Sequence, residues 1–143
     1  MFEYISGREY PVKVIPLIEQ SVKSIKIIVF DWRWYPQMPG ATVQVFNQAI
    51  IRAARRGVQI QAITNNDEIN RVLKENKVSA KRLRTKKLMH CKLMIIDEKI
   101  VITGSHNFTQ SAFHQNIELS VIINDRDNNK KALTYFDNLY AIA

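Results

Sequence analysis

The 143-residue sequence holds one cysteine, four glycines, four prolines and three histidines. A single cysteine, Cys91, excludes an intrachain disulfide framework and any zinc site built from several thiolates. So few glycines and prolines leave no linker-rich or low-complexity segment, and no internal repeat is visible. No run approaches the roughly 18 apolar residues that a bilayer span requires, so stable membrane insertion is not expected. The opening MFEYISGREYPVK lacks the basic-then-apolar pattern of a secretory leader. The expected compartment is therefore the cytoplasm, with export after leader removal as the alternative. Acidic residues are in deficit: 13 Asp and Glu stand against 21 Lys and Arg, a formal charge of +8. That imbalance points toward polyanions without saying which.

What is present suits one domain over 1–143. A 46% hydrophobic, 24% charged chain argues against disorder, can bury a real core, and is too short for a two-domain enzyme. IKIIVF (25–30) is a short β-branched run of the buried-strand kind. Before it, Val14, Ile18, Val22 and Ile25 recur at helical spacing, predicting a helix over 12–24 with Pro16 in its first turn. DWRWYPQMPG is a loop. Phe46, Ala49, Ile50 and Ala53 predict a helix over 42–56, closed by Gly57, and VQIQAIT (58–64) alternates as a strand. Strand, helix, strand at this length is a βαβ unit with parallel pairing. A short helix follows with Asn66 or Asp67 as N-cap, and KVSAKRLRTKK reads as basic and irregular. CKLMIID and KIVITGS, separated by Asp97-Glu98-Lys99, predict a tight hairpin. IELSVIIN (117–124) is a further strand, and Ala132, Tyr135, Phe136, Leu139 and Tyr140 mark a terminal helix. The fold class is α/β, a mixed sheet flanked by helices.

The hairpin carries the chemistry. On an extended strand His90 and Lys92 share a face while Cys91, Leu93 and Ile95 point away. If Ile96 lies opposite Ile100, Lys92 faces Gly104 and His90 faces His106. If Asp97 pairs with Ile100, Lys92 faces Ser105 and His90 faces Asn107. Either register returns Gly-Ser-His-Asn to the level of His90 and Lys92. Gly104 allows a close approach to backbone, while Ser105 and Asn107 add hydrogen-bonding groups. Imidazole, ammonium, hydroxyl and amide at one place suit a phosphate.

The spacing His90-x-Lys92, four residues, Asp97, six residues, Gly104-Ser105-x-Asn107 resembles the H-x-K-(x)4-D-(x)6-G-S-x-N signature of the phospholipase D superfamily at every fixed position. Phe108-Thr109 and Asn116-Ile117-Glu118 extend the likeness toward its small bacterial nucleases. The resemblance implies a phosphodiesterase needing neither metal nor cofactor. His90 attacks phosphorus to give a phosphohistidine, and a second histidine protonates the leaving oxygen. It also implies that Lys92, Ser105 and Asn107 hold the non-bridging oxygens, and that Glu118 orients an imidazole. Asp97, about 20 Å along the strand from His90, is expected to be structural. The family builds each site from two such motifs and this chain has one. The resemblance therefore implies a homodimer with the site on its axis.

Several residues have plainer readings. His106 and His114 lack a Lys two positions on and are expected to be solvated or to pack. Cys91 is expected to act as a small apolar residue. Lys81, Arg82, Arg84, Lys86 and Lys87 are either a solvated loop or a contact to nucleic-acid phosphates. Arg52, Arg55 and Arg56 read as a polar helix face. Trp34, with Trp32 and Tyr35, either stacks on bases, meets a lipid interface or packs internally. DNA is the favoured substrate and RNA a possible one. The alternatives are an anionic phospholipid such as cardiolipin, a non-catalytic nucleic-acid-binding module, and the catalytic subunit of a larger system.

Overall fold

A computed structural model describes residues 2–143. Seven strands form one sheet in the order β1-β7-β6-β5-β2-β3-β4. They are β1 (Phe2–Ser6), β2 (Ser24–Val29), β3 (Gln59–Ile63), β4 (Ser79–Lys81), β5 (Lys92–Ile96), β6 (Ile100–Gly104) and β7 (Leu119–Asn124). The β2–β3 and β3–β4 pairs are parallel and the other four pairs antiparallel, so the sheet is mixed. The helices are α1 (Glu9–Glu19), α2 (Thr42–Arg55), α3 (Asp67–Glu75), α4 (Gln110–His114) and α5 (Lys130–Ile142).

Alternation along the central strands splits the core in two. Ile25, Ile27, Val29, Met94 and Ile96 face α1, α2, α3 and α4, where Val14, Ile18, Phe46, Ile50, Leu73 and Phe113 complete the larger cluster. Ile28, Leu93, Ile95 and Val101 face the other way and are covered by α5 through Phe136, Ala132 and Leu139. This face-by-face burial is what a period of two requires of a sheet covered on both sides.

The parallel β2–α2–β3 unit, Gly57 in a left-handed conformation (φ +99°) after α2, and the Asn66 cap are as the sequence predicts. The Asn66 side chain accepts from the Glu68 and Ile69 amides. Four expectations need correction. Helix α1 begins at Glu9 and ends at Glu19, so Pro16 sits inside it and Val22, 81% exposed, lies beyond it. The amides of Val22, Lys23 and Ser24 turn to the Asp97 carboxylate instead of continuing the helix. Part of the basic irregular segment is strand β4, parallel to β3. Strand β7 starts at Leu119, leaving Ile117 fully exposed. Strand β1 and helix α4 were not foreseen.

Candidate active site

Three chain segments meet at one end of the central strands. Strand β2 leaves the sheet at Val29, which pairs with Lys92 at the start of its antiparallel neighbour β5. In the hairpin Ile96 pairs with Ile100 and Leu93 with Thr103, the first of the two predicted registers. Strand β6 therefore ends where β5 begins. Asp97 and Glu98 take left-handed conformations (φ +54° and +55°), and the Lys99 amide closes the turn on the Ile96 carbonyl at 3.0 Å. Beyond β6 the chain is laced to the segment after β2. The Phe108 amide donates to the Asp31 carbonyl and the Arg33 amide to the Phe108 carbonyl, each at 3.0 Å.

His90 and Lys92 come together. The Lys92 Nζ lies 3.0 Å from His90 Nδ1, and an ammonium can only donate, so that nitrogen accepts. The His90 imidazole rests beside the Phe30 ring with centroids 4.6 Å apart, and Lys92 Nζ is 5.6 Å from the same ring. Thr103 Oγ1 donates to the Lys92 carbonyl at 2.8 Å, fixing the backbone beneath. Asn107 Oδ1 accepts the Asp31 amide at 3.1 Å, which leaves its Nδ2 hydrogens free to donate.

Other site residues differ from expectation. The Ser105 hydroxyl donates to Glu118 Oε1 at 2.5 Å and accepts the Leu119 amide at 3.0 Å. With its proton on Glu118, Ser105 ties the β6 exit to β7 in the chain without substrate. Glu118 binds Ser105 and Asn116, and neither contact is to an imidazole. Gly104 (φ +155°) is small for a different reason from the one inferred. A Cβ there would overlap the Ser120 backbone and the Leu119 carbonyl of β7, so the close approach is strand to strand. Asp97 is structural, holding the three amides noted above.

The remaining histidines are occupied. His106 is buried, with Nδ1 2.7 Å from Ser120 Oγ and Nε2 2.9 Å from the Gly7 carbonyl. Burial lowers its pKa. His114 Nε2 lies 2.7 Å from Thr42 Oγ1. Cys91 is half-buried, its sulfur 3.8 Å from the Tyr135 hydroxyl, an interaction that raises the tyrosine pKa. Trp34 is partly buried against the larger core beside Trp32.

The basic segment divides. Arg82 pairs with Asp67 at 3.2 Å, and Lys81 donates to the Tyr140 carbonyl at 3.1 Å. Arg84, Lys86 and Lys87 are exposed and make no ion pair among the described residues. Lys86 and Lys87 line a cleft of about 340 Å³ with Phe30, Asn65 and Met89. A larger cleft of about 780 Å³ runs past His90, Lys92, Thr103, Ser105 and Tyr135. Among the described residues no group of three or more His, Cys, Asp or Glu side chains converges as metal ligands. No helix among them is long and apolar enough to cross a membrane. Two site residues escaped the sequence reading: Phe30, packed at a tilt against the imidazole, and Asn65, whose Nδ2 donates to the Met89 carbonyl at 2.9 Å. Their role depends on β2 lying against β5, and no local pattern reports that pairing.

Comparison with known proteins agrees with this geometry. The sequence model of the family described as "Cardiolipin synthase, PLD-like domain" matches residues 14–140. The chain is 30% identical over 134 residues to a phospholipase D of Rickettsia prowazekii, covering 90% of this chain and 60% of that protein. It is 30% identical over 112 residues to the mitochondrial cardiolipin hydrolase of Canis lupus familiaris, covering 73% and 41%. The chain thus spans roughly half the length of these relatives. Among solved structures it resembles NucT from Helicobacter pylori, with TM-score 0.79, 23% identity, and 99% and 98% of the two chains covered. It also resembles the phospholipase D family member Nuc from Salmonella typhimurium, with TM-score 0.78, 21% identity, and 99% and 96% covered. Those two likenesses establish the fold. With the family match running over nearly the whole sequence and the signature residues gathered at one end of its sheet, the chain belongs to the phospholipase D superfamily.

Proposed function

We propose that the chain is a metal-independent phosphodiesterase, most suited to cleaving DNA or RNA, that works as a homodimer. The observation that carries this reading is the 3.0 Å pairing of Lys92 with His90, with the Asn107 amide held by its oxygen end on Asp31, the residue after the Phe30 that packs against His90. A phosphate oxygen is a stronger, charged acceptor for the ammonium than an imidazole nitrogen. On substrate binding Lys92 transfers its hydrogen bond to the phosphate and frees the His90 lone pair. That nitrogen attacks phosphorus, a P–N bond forms, and the P–O bond to the leaving alcohol breaks. Lys92 and the Asn107 Nδ2 donate to the non-bridging oxygens as charge builds there.

The leaving oxygen needs a proton, and His106 and His114, turned to Ser120, Gly7 and Thr42, line neither cleft beside His90. We assign it to His90 of the partner subunit, protonated while its twin is neutral. Water then attacks phosphorus, giving its proton to the partner's His90. The P–N bond breaks, releasing a monoester and neutral His90. A two-fold pair places like residues at the axis. Leu119 (55% exposed), bonded to Ser105 through its amide, leaves apolar surface near the site for a second copy to cover. A net +8 per chain, about +16 on the dimer, favours polynucleotides through counterion release. Arg84, Lys86 and Lys87 supply unpaired cations beside the catalytic strand.

A second reading, hydrolysis of an anionic phospholipid, is favoured by a specific feature. A cleft of about 340 Å³ beside His90 is walled by Leu83, Leu88, Met89, Leu139 and Ile142, apolar enough for an acyl chain. One panel separates the readings. The protein and His90→Ala are incubated with single-stranded DNA, duplex DNA, RNA and cardiolipin vesicles, with and without EDTA. The expected outcome is EDTA-resistant polynucleotide cleavage that vanishes in His90→Ala. Substrate affinity should also fall on the order of tenfold or more between about 50 and 200 mM salt. Cleavage of vesicles alone would establish the second reading. Polynucleotide binding without turnover would leave a binding module, and equal activity in His90→Ala would remove the assignment altogether.

A further inference from the structure

Resting on the phosphodiesterase reading above, we propose that Asn65 and Phe30 are positioning residues that hold the His90 imidazole in its attacking orientation. His90 precedes β5 and its side chain is exposed. An exposed histidine two residues from its strand has no ladder hydrogen bonds of its own to fix it, yet in-line attack needs the nitrogen held within a narrow range of angle and distance.

The Asn65 side chain meets that need from across the sheet. Its Nδ2 donates to the Met89 carbonyl at 2.9 Å and to the Phe30 carbonyl at 3.3 Å. Both amide hydrogens are thereby used. The Met89 carbonyl belongs to the peptide bond that carries His90, and the Phe30 ring packs at a 47° tilt against the imidazole, 4.6 Å between centroids. One side chain thus secures both the backbone of the nucleophile and the backbone of the residue whose ring packs against its imidazole.

Asn65 is itself firmly mounted. On one side, Thr64 donates its amide to the Lys81 carbonyl at 3.1 Å and its hydroxyl to Asn70 Oδ1 at 2.6 Å. On the other, Asn66 caps α3. A rigid support of this kind is what a positioning contact requires. Neither residue touches phosphate in this scheme. Their effect passes through His90.

The test compares Asn65→Asp, Asn65→Ala, Phe30→Leu and Phe30→Tyr in the full chain, using bis(p-nitrophenyl) phosphate as the diester. Asn65→Asp keeps shape but sets a carboxylate oxygen against two carbonyls. The expected result is a fall in kcat of roughly 10- to 100-fold for both Asn65 variants and for Phe30→Leu, with KM within about twofold of wild type. Phe30→Tyr keeps the ring face and should restore kcat to within about threefold. In wild type, NMR should show a nuclear Overhauser contact between the Phe30 and His90 rings, weakened in Asn65→Ala. Unchanged kcat and an unchanged ring contact would overturn the proposal. So would an equal rise in KM, or a failure of Phe30→Tyr to exceed Phe30→Leu. If Asn65→Ala does not fold, Asn65→Asp and Phe30→Leu decide. A wild type no more active than His90→Ala overturns the phosphodiesterase reading instead, and the ring contact still reports whether Asn65 fixes the imidazole.

Discussion

A side-chain amide has two unlike ends, and at Asn107 the fold occupies one of them. With Oδ1 accepting the Asp31 amide, rotation of the amide would set Nδ2 against an N–H, so the donor end stays available. Asn107→Asp tests this at one atom. The carboxylate keeps the acceptor for Asp31 while losing the donor and adding a negative charge near an anionic substrate. Diester turnover should fall by about 10²- to 10³-fold or more, while urea unfolding stays within about 1 kcal/mol of wild type. A variant that retains turnover would remove Asn107 from the site. Ser105 is the contrasting case, because a hydroxyl has only one proton to give and Glu118 already takes it. Asp97 shows the same economy at the far end of the strand. Its carboxylate collects the Val22, Lys23 and Ser24 amides and so ends the approach to β2.

Among the elements, the β5–β6 hairpin was legible because two apolar β-branched runs flank three polar residues, and the signature spacing falls on it. Helix α2 was equally plain, since its apolar positions repeat over four turns. Helix α1 was overextended because Val22 continues the spacing of Val14 and Ile18. The Asp97 carboxylate, some 75 residues away in sequence, and the Arg56 guanidinium on the Ile18 and Ser21 carbonyls stop it there. Strand β1 buries one side chain, Ile5, and β4 is three residues long, so neither shows a period. Their existence follows from pairing partners that the sequence does not announce. The β1–α1 turn is held by His106, and this gives a prediction at the scale of elements. Buried with Nε2–H on the Gly7 carbonyl and Nδ1 facing Ser120, His106 has a pKa lowered from its ordinary 6.5. The native state therefore resists a proton that the unfolded chain accepts. Stability should be level above about pH 6.5 and decline as pH falls below it, by at most about 1.4 kcal/mol per pH unit. Urea unfolding from pH 8 to 5 measures the slope, and His106→Gln should flatten it. A slope unchanged in that variant would place the titration elsewhere.

For the whole molecule, the proposed dimer rests on the number of available histidines. Among the described residues His90 is the one histidine lining the site clefts, while His106 and His114 turn to Ser120, Gly7 and Thr42. Phosphohistidine formation needs a nucleophile and an acid at once. In the proposed dimer each catalytic event draws on both chains, and inactivating one chain should silence the pair. Wild-type and His90→Ala chains carrying different affinity tags can be co-expressed, and the mixed dimers isolated by passage over both resins. With a shared site these dimers should be as inactive as the His90→Ala homodimer. In an unfractionated equal mixture about one quarter of wild-type activity per dimer should survive, because random pairing leaves that share fully wild type. Independent sites would instead leave about one half in both preparations. Dilution supplies the complementary arm: specific activity should drop with the sedimentation-defined loss of dimer and recover on reconcentration. Mixed dimers retaining half the wild-type rate, or a monomer of undiminished activity, would show that one chain suffices and would require a proton donor other than histidine within it.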